Sequence, residues 1–121
     1  MKFGHRFQAV IEATHPRVAD SLNNIAEWHE TQGDYDSALP LYERSLQIFK
    51  GALGLQHPRV AYSLNNLADL YIRIGQYDRA VPLYKRSLGV REKSLGPTHP
   101  DAADSLTGLA WIQRKRASGT A

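Results

Sequence analysis

The chain repeats itself. His57-Pro58-Arg59-Val60-Ala61 restates His15-Pro16-Arg17-Val18-Ala19 at a spacing of 42 residues, and Thr98-His99-Pro100 opens a third copy at the same spacing. Laying residues 15–56 over 57–98 gives 22 identities in 42 positions, and a fixed period of this length is the mark of a stacked repeat architecture. In such a stack each unit buries its apolar face against its neighbours, so function has to come from a surface that the copies share.

The apolar residues of each copy fall at helical spacing. Val18, Leu22, Ile25 and His29 match Val60, Leu64, Leu67 and Tyr71, at i, i+4, i+7 and i+11, which is one stripe of an amphipathic helix. Pro16, Pro58 and Pro100 stand where these helices should start, since the first helical position needs no N–H, and each preceding histidine is pushed toward extended backbone. A first helix is therefore expected over about Pro16 to Gln32 and Pro58 to Ile74. Gly33 and Gly75 should end it, and a second helix should follow with Tyr35, Ala38, Leu41, Tyr42, Leu46, Phe49 and Leu53 buried in copy one. Its counterparts in copy two are Tyr77, Ala80, Leu83, Tyr84, Leu88 and Leu95, with Gly54 and Gly96 closing the two helices. Pro40 and Pro82 lie about five residues inside, where each removes a backbone bond at roughly 3 kcal/mol. The first turn there is expected to be bent or loosened, and a helix starting only at Pro40 would contradict that.

The order Leu64-x2-Leu67-Ala68-x2-Tyr71-x3-Gly75-x-Tyr77-x2-Ala80-x3-Tyr84 resembles the tetratricopeptide repeat, in which two antiparallel helices cross at small residues. Ala68 and Ala80 would be those residues. The 42-residue period, the Ser63-to-Ala68 start, the Pro82-to-Leu88 middle and the Leu95-Gly96-x2-His99-Pro100 link are similar to the kinesin light chain variety. The resemblance covers residues 15 to about 113. It implies an all-α, right-handed superhelical solenoid of antiparallel helix pairs, with two full repeats plus a capping helix, that binds proteins or peptides. The units would be residues 15–56 and 57–98, then residues 99–117 as the first helix of a third repeat acting as a cap, with a tail at 118–121. The sequence departs from the family pattern at His29 and Gln113, which replace a tyrosine, and at Ala117, which replaces a glycine. Residues 1–14 carry Phe3, Phe7, Val10 and Ile11 at the spacing of a short amphipathic helix, expected to cover the other end although Gly4 weakens it.

In tetratricopeptide stacks the first helices line a concave face, and alignment places Asp20, Asn23, Asn24, Glu27 and Glu30 there, then Tyr62, Asn65, Asn66, Asp69 and Arg73, then Asp104, Thr107 and Trp111. Asn23, Asn24, Glu27, Tyr62, Asn65, Asn66, Asp69, Arg73 and Trp111 are the candidate peptide-binding residues. Asparagine is a poor helix-interior residue, so the adjacent pairs need a reason: a hydrogen-bond ladder between neighbouring helices, an amide offered to a bound peptide backbone, or one of each pair for each task. Acidic residues outnumber cations on this face, while Arg44, Arg79, Lys85, Arg86 and Arg91 fall on second helices. The groove should then prefer neutral or basic segments, and it lacks the cations of a carboxylate clamp for chaperone tails. Trp111 aligns with Asp69 and Glu27 on the groove side, where it could anchor a partner, whereas Trp28 aligns with Leu70 and Ile112 and should be buried.

Other classes find little support. The net charge of +3 comes from 15 Lys and Arg dispersed along the chain, and Arg114-Lys115-Arg116 is shorter than a nucleic-acid tract. The chain has no cysteine, which excludes thiolate metal sites and thiol nucleophiles and suits a reducing compartment. With no 18-residue apolar run and no signal-peptide core, it reads as soluble, cytoplasmic and without membrane contact. His15, His57 and His99 recur one repeat apart, too far for one metal ion, and read as linker residues. No nucleophile elbow, phosphate loop or HExxH pattern is present. We therefore expect no enzyme, metal or cofactor. The alternative reading is structural, with terminal helices that self-associate into a homo-oligomer or bridge domains of a larger assembly.

Overall fold

A computed structural model describes residues 14–118. Five helices follow in order: α1 (Pro16–Thr31), α2 (Tyr35–Leu53), α3 (Pro58–Ile74), α4 (Tyr77–Leu95) and α5 (Pro100–Ala117). α1 pairs with α2 and α3 with α4, and the units nest in series as α3 packs on α2 and α5 on α4. α3 also touches α5. The helix expected around Phe3, Phe7, Val10 and Ile11 lies outside the described residues, as does the tail from 119 onward.

Each first helix is opened by its histidine. His15, His57 and His99 have extended backbone, and each Nδ1 accepts the N–H of the second residue on, Arg17, Arg59 or Asp101, at 3.1 Å. The imidazole thus takes the capping role usually given to Ser, Thr, Asp or Asn. At the other end of α3, Gly75 takes φ +89°, the Gln76 N–H reaches the Tyr71 carbonyl at 2.8 Å, and the Gly75 N–H reaches Ile72 at 3.0 Å. This is a Schellman closure, which a left-handed glycine makes cheap. Asp34 then caps α2 by accepting the Ser37 N–H at 3.2 Å.

α2 and α4 begin at Tyr35 and Tyr77, well ahead of Pro40 and Pro82, and run through them without a break. The carbonyl that each proline leaves unpaired belongs to Asp36 or Asp78. Both residues are exposed, as are the prolines, so water can take up the lost bond and the cost falls below that of a buried proline.

Alanines form the helix crossings. Ala19, Ala26 and Ala38 in the first pair and Ala61, Ala68 and Ala80 in the second are fully buried, letting the backbones approach. That approach brings two buried serines within reach of a facing carbonyl: Ser45 Oγ donates to Ala19 O at 2.9 Å, and Ser87 Oγ donates to Ala61 O at 2.9 Å. The two bonds are the same bond, one period apart. Around them Tyr42, Phe49, Leu64, Leu70 and Tyr84 complete the core.

Two expectations for α1 fail. Val60, Leu64, Leu67 and Tyr71 of α3 are buried, and Leu67 and Tyr71 border Leu46 of α2. In α1, by contrast, Ile25 is 48% exposed and Trp28 is 58% exposed rather than buried.

Removing the His57 cap should lower stability by about 1 kcal/mol, within the range for N-cap loss. Urea unfolding should show this for His57→Ala and a much smaller loss for His57→Asn, whose side-chain oxygen can accept the same bond.

Candidate functional site

The first helices bring their polar faces together in a depression of about 560 Å³, within the size range of ligand sites. α1 contributes Glu27 and Glu30, α3 contributes Tyr62, Asn65, Asn66, Asp69, Ile72 and Arg73, and α5 contributes Asp104, Thr107, Gly108 and Trp111. Behind them Tyr42, Tyr84 and Arg91 of the second helices close the bottom.

Bonds between helices set the walls. Arg73 Nε lies 2.6 Å from Glu30, Tyr62 OH donates to Glu27 at 3.3 Å, and just beyond the depression Arg59 Nη1 pairs with both oxygens of Asp20 at 2.7 and 2.9 Å. All three span α1 and α3. From below, the Tyr42 hydroxyl donates to Glu30 at 2.7 Å and the Tyr84 hydroxyl donates to Asp69. Burial and then these carboxylate partners raise the pKa of both phenols, which keeps them protonated donors.

Asp69 is the electrostatic centre. Burial raises its carboxyl above the ordinary value of 3.8, Glu30 and Asp104 push the same way, and the Tyr84 bond and Arg73 pull down without cancelling the rise. A site that disfavours its own ionised carboxylate favours a cation brought to it.

Gly108 makes room for this arrangement. A Cβ at Gly108 would collide with the Tyr84 ring, so the helix surface must be bare for the tyrosine to lie against it. Trp111 stands at the rim, edge-on to Tyr77 with ring centres 5.6 Å apart, and Lys115 Nζ lies 5.6 Å from its ring.

The sequence and the fold have known counterparts. The tetratricopeptide repeat profile matches residues 6–50, 17–93 and 59–118. The chain belongs to the tetratricopeptide repeat family. Its fold is similar to that of a kinesin light chain-type protein of Podosopora anserina with nearly identical TPR-like repeats, at 27% identity and TM-score 0.75 over 86% of this chain and 49% of that one. A single-substitution variant of that protein gives 26% identity and TM-score 0.73 over 88% and 50%. BtubC (BKLC) from P. vanneervenii gives 25% identity and TM-score 0.68 over 88% and 49%. The chain thus spans about half the length of these structures. A comparison with curated protein sequences gives no significant match. The architecture is accordingly an all-α tetratricopeptide superhelix of kinesin light chain type. Repeats of this family are generally protein–protein interaction modules, typically non-catalytic scaffolds. Among the described residues no helix is long and apolar enough to cross a membrane, and no group of three His, Asp or Glu is placed to hold a metal ion.

Within this tetratricopeptide groove, Glu27, Tyr62, Asn65, Asn66, Asp69, Arg73 and Trp111 come together. Asn23 does not. It is 3% exposed, and neither atom of its side-chain amide has a partner among the described residues. Asn24 is exposed but lies outside the depression. In the second asparagine pair, Asn65 Oδ1 accepts from Ser105 of α5 at 2.9 Å, and Asn66 has a buried Nδ2 with no partner among the described residues.

Five contributors, Tyr42, Ile72, Tyr84, Arg91 and Gly108, lie outside the residues that alignment placed on this face. Tyr42 and Tyr84 have buried rings, as expected of core residues, but their hydroxyls reach the groove. Arg91, placed by alignment on a second helix and off the groove face, is 5% exposed and borders the groove. The signal is in the period: Arg91 stands 42 residues after Phe49, a core position.

Because Asp69 is raised, its ionised form costs the folded protein stability at neutral pH, and that cost disappears as pH falls through the raised value toward 3.8. Asp69→Asn keeps an acceptor for Tyr84. Thermal melts should show it more stable than the parent at pH 7, by less than about 1 kcal/mol since the side chain is partly open to solvent, with the gain vanishing near pH 4. Gly108→Ala should lower the melting temperature, because overpacking costs about 1–3 kcal/mol and outweighs the helix propensity gained. Gly89→Ala on α4, where nothing lies within 4 Å of the new Cβ, should instead gain up to about 1 kcal/mol.

Proposed function

We propose that this groove captures an extended segment of a partner protein, neutral or basic in character, along the first helices of the repeats. The observation that carries the reading is the charge of the walls. Glu27, Asp69 and Asp104 face the depression, and the cation at its rim, Arg73, is engaged by Glu30. An acidic ligand would meet like charge across a partly desolvated surface, whereas Lys or Arg of a partner would relieve it. Asn66 lines the depression beside these acids, and Trp111 supplies a broad apolar surface at the edge of the kind that anchors interfaces.

A peptide array probed with the purified chain tests this. Basic and neutral segments should be retained in preference to acidic ones, and Asp69→Arg should weaken the basic set by at least about tenfold, the cost of placing like charges in contact. Retention that is indifferent to both Asp69→Arg and Asn66→Ala would remove the groove as the binding surface.

A further inference from the structure

Phe49 and Arg91 occupy the same place in successive repeats, and both are buried. The fold therefore accepts an apolar ring at this position, so a guanidinium is not needed to build the stack. Burying one is costly unless it is paired. Arg91 Nη1 donates to the main-chain carbonyl of Asp101 at 2.8 Å and to the Ser105 hydroxyl at 3.1 Å, both neutral acceptors. Among the described residues no carboxylate lies within ion-pair distance of it. The Asp101 carboxylate sits instead near His99 Nδ1, 3.9 Å away.

The surroundings are equally lacking in negative charge at short range. Ser105 donates to Asn65 and lies 3.1 Å from Ser87 Oγ, whose own proton goes to the Ala61 carbonyl. The cluster is thus a neutral polar seam that ends in a positive charge. Arg91 borders the same depression as Asp69, Asp104 and Asn66, the place where a ligand would lie. A guanidinium has five N–H donors arranged to match a carboxylate, and Nη1 alone makes the two bonds described.

We infer that Arg91 is the seat for one side-chain carboxylate, an Asp or Glu, carried within the segment that the groove binds. The inference rests on the groove reading above and narrows it. The acidic rim repels a run of negative charge, while the buried guanidinium rewards a single one, so the ligand class is a basic extended segment interrupted by one acidic residue. Specificity then comes from two opposed requirements at different depths: cations at the rim and one anion at the bottom.

The test uses N-acetylated, C-amidated twelve-residue peptides of Lys, Asn and Gly, labelled with fluorescein, in which one Asp is walked through the central positions against an Asn twin. A parallel set with free C-termini separates a terminal carboxylate from a side-chain one. By fluorescence polarisation, at least one register should bind about tenfold more tightly as Asp than as Asn, the size expected of a charge-assisted bidentate contact. Arg91→Phe, which copies the residue of repeat one, should erase that difference, and its helical melt verifies folding. Equal binding of the twins at every position overturns the inference, as does an Asp preference that survives Arg91→Phe or appears only with a free C-terminus. If the twins bind equally but Asp69→Arg weakens both, only the role of Arg91 falls. If no peptide binds, the groove reading falls and takes this inference with it.

Discussion

The hydrogen bond from a buried serine to the carbonyl of a facing alanine holds each helix pair together, and the other features of the molecule are arranged around it. Ser45 to Ala19 and Ser87 to Ala61 have the same length and the same position in the unit. Such a bond forms only if the helices come close, which the fully buried alanines allow, and an unmet hydroxyl there would be expensive. Close approach in turn pushes Tyr42 and Tyr84 past the crossing. Their rings stay in the core, and their hydroxyls emerge on the far side among the carboxylates of the groove.

Core and groove are therefore coupled through two phenols. Each is buried along its ring and holds a carboxylate at its tip, so the acids on the groove wall are oriented from below and not left to sample rotamers. Across the wall, Arg73 with Glu30 and Arg59 with Asp20 tie α3 to α1. Such partly exposed pairs contribute little stability. Their effect is geometric: they fix how far apart the first helices stand, and so the width of the depression between them.

The period made the helices, their ends and their alanine crossings legible, because each rests on local rules that repeat with the sequence. Neighbours in space were harder to read. The stripe in α1 has the pattern of its counterpart in α3, yet Ile25 and Trp28 are open, since burial depends on what lies alongside and not on the residue. Asn23 and Asn24 differ by one position, about 100° around a helix, and alignment to a groove could not tell which side of that turn met solvent. The capping role of His15, His57 and His99 was hidden for another reason: recurrence showed that they matter, but a ring nitrogen accepting a backbone N–H is not among the usual capping signals. Arg91 was obscured by habit of composition, which sends arginine to the surface, although its register with Phe49 pointed inward.

The serine lock lies inside each unit, whereas Phe49 and Arg91 sit where one unit meets the next. Variation and cohesion are thus written in separate places. A substitution at the junction leaves both serine bonds untouched, and a unit copied whole brings its own fastening along while leaving its junction free to diverge.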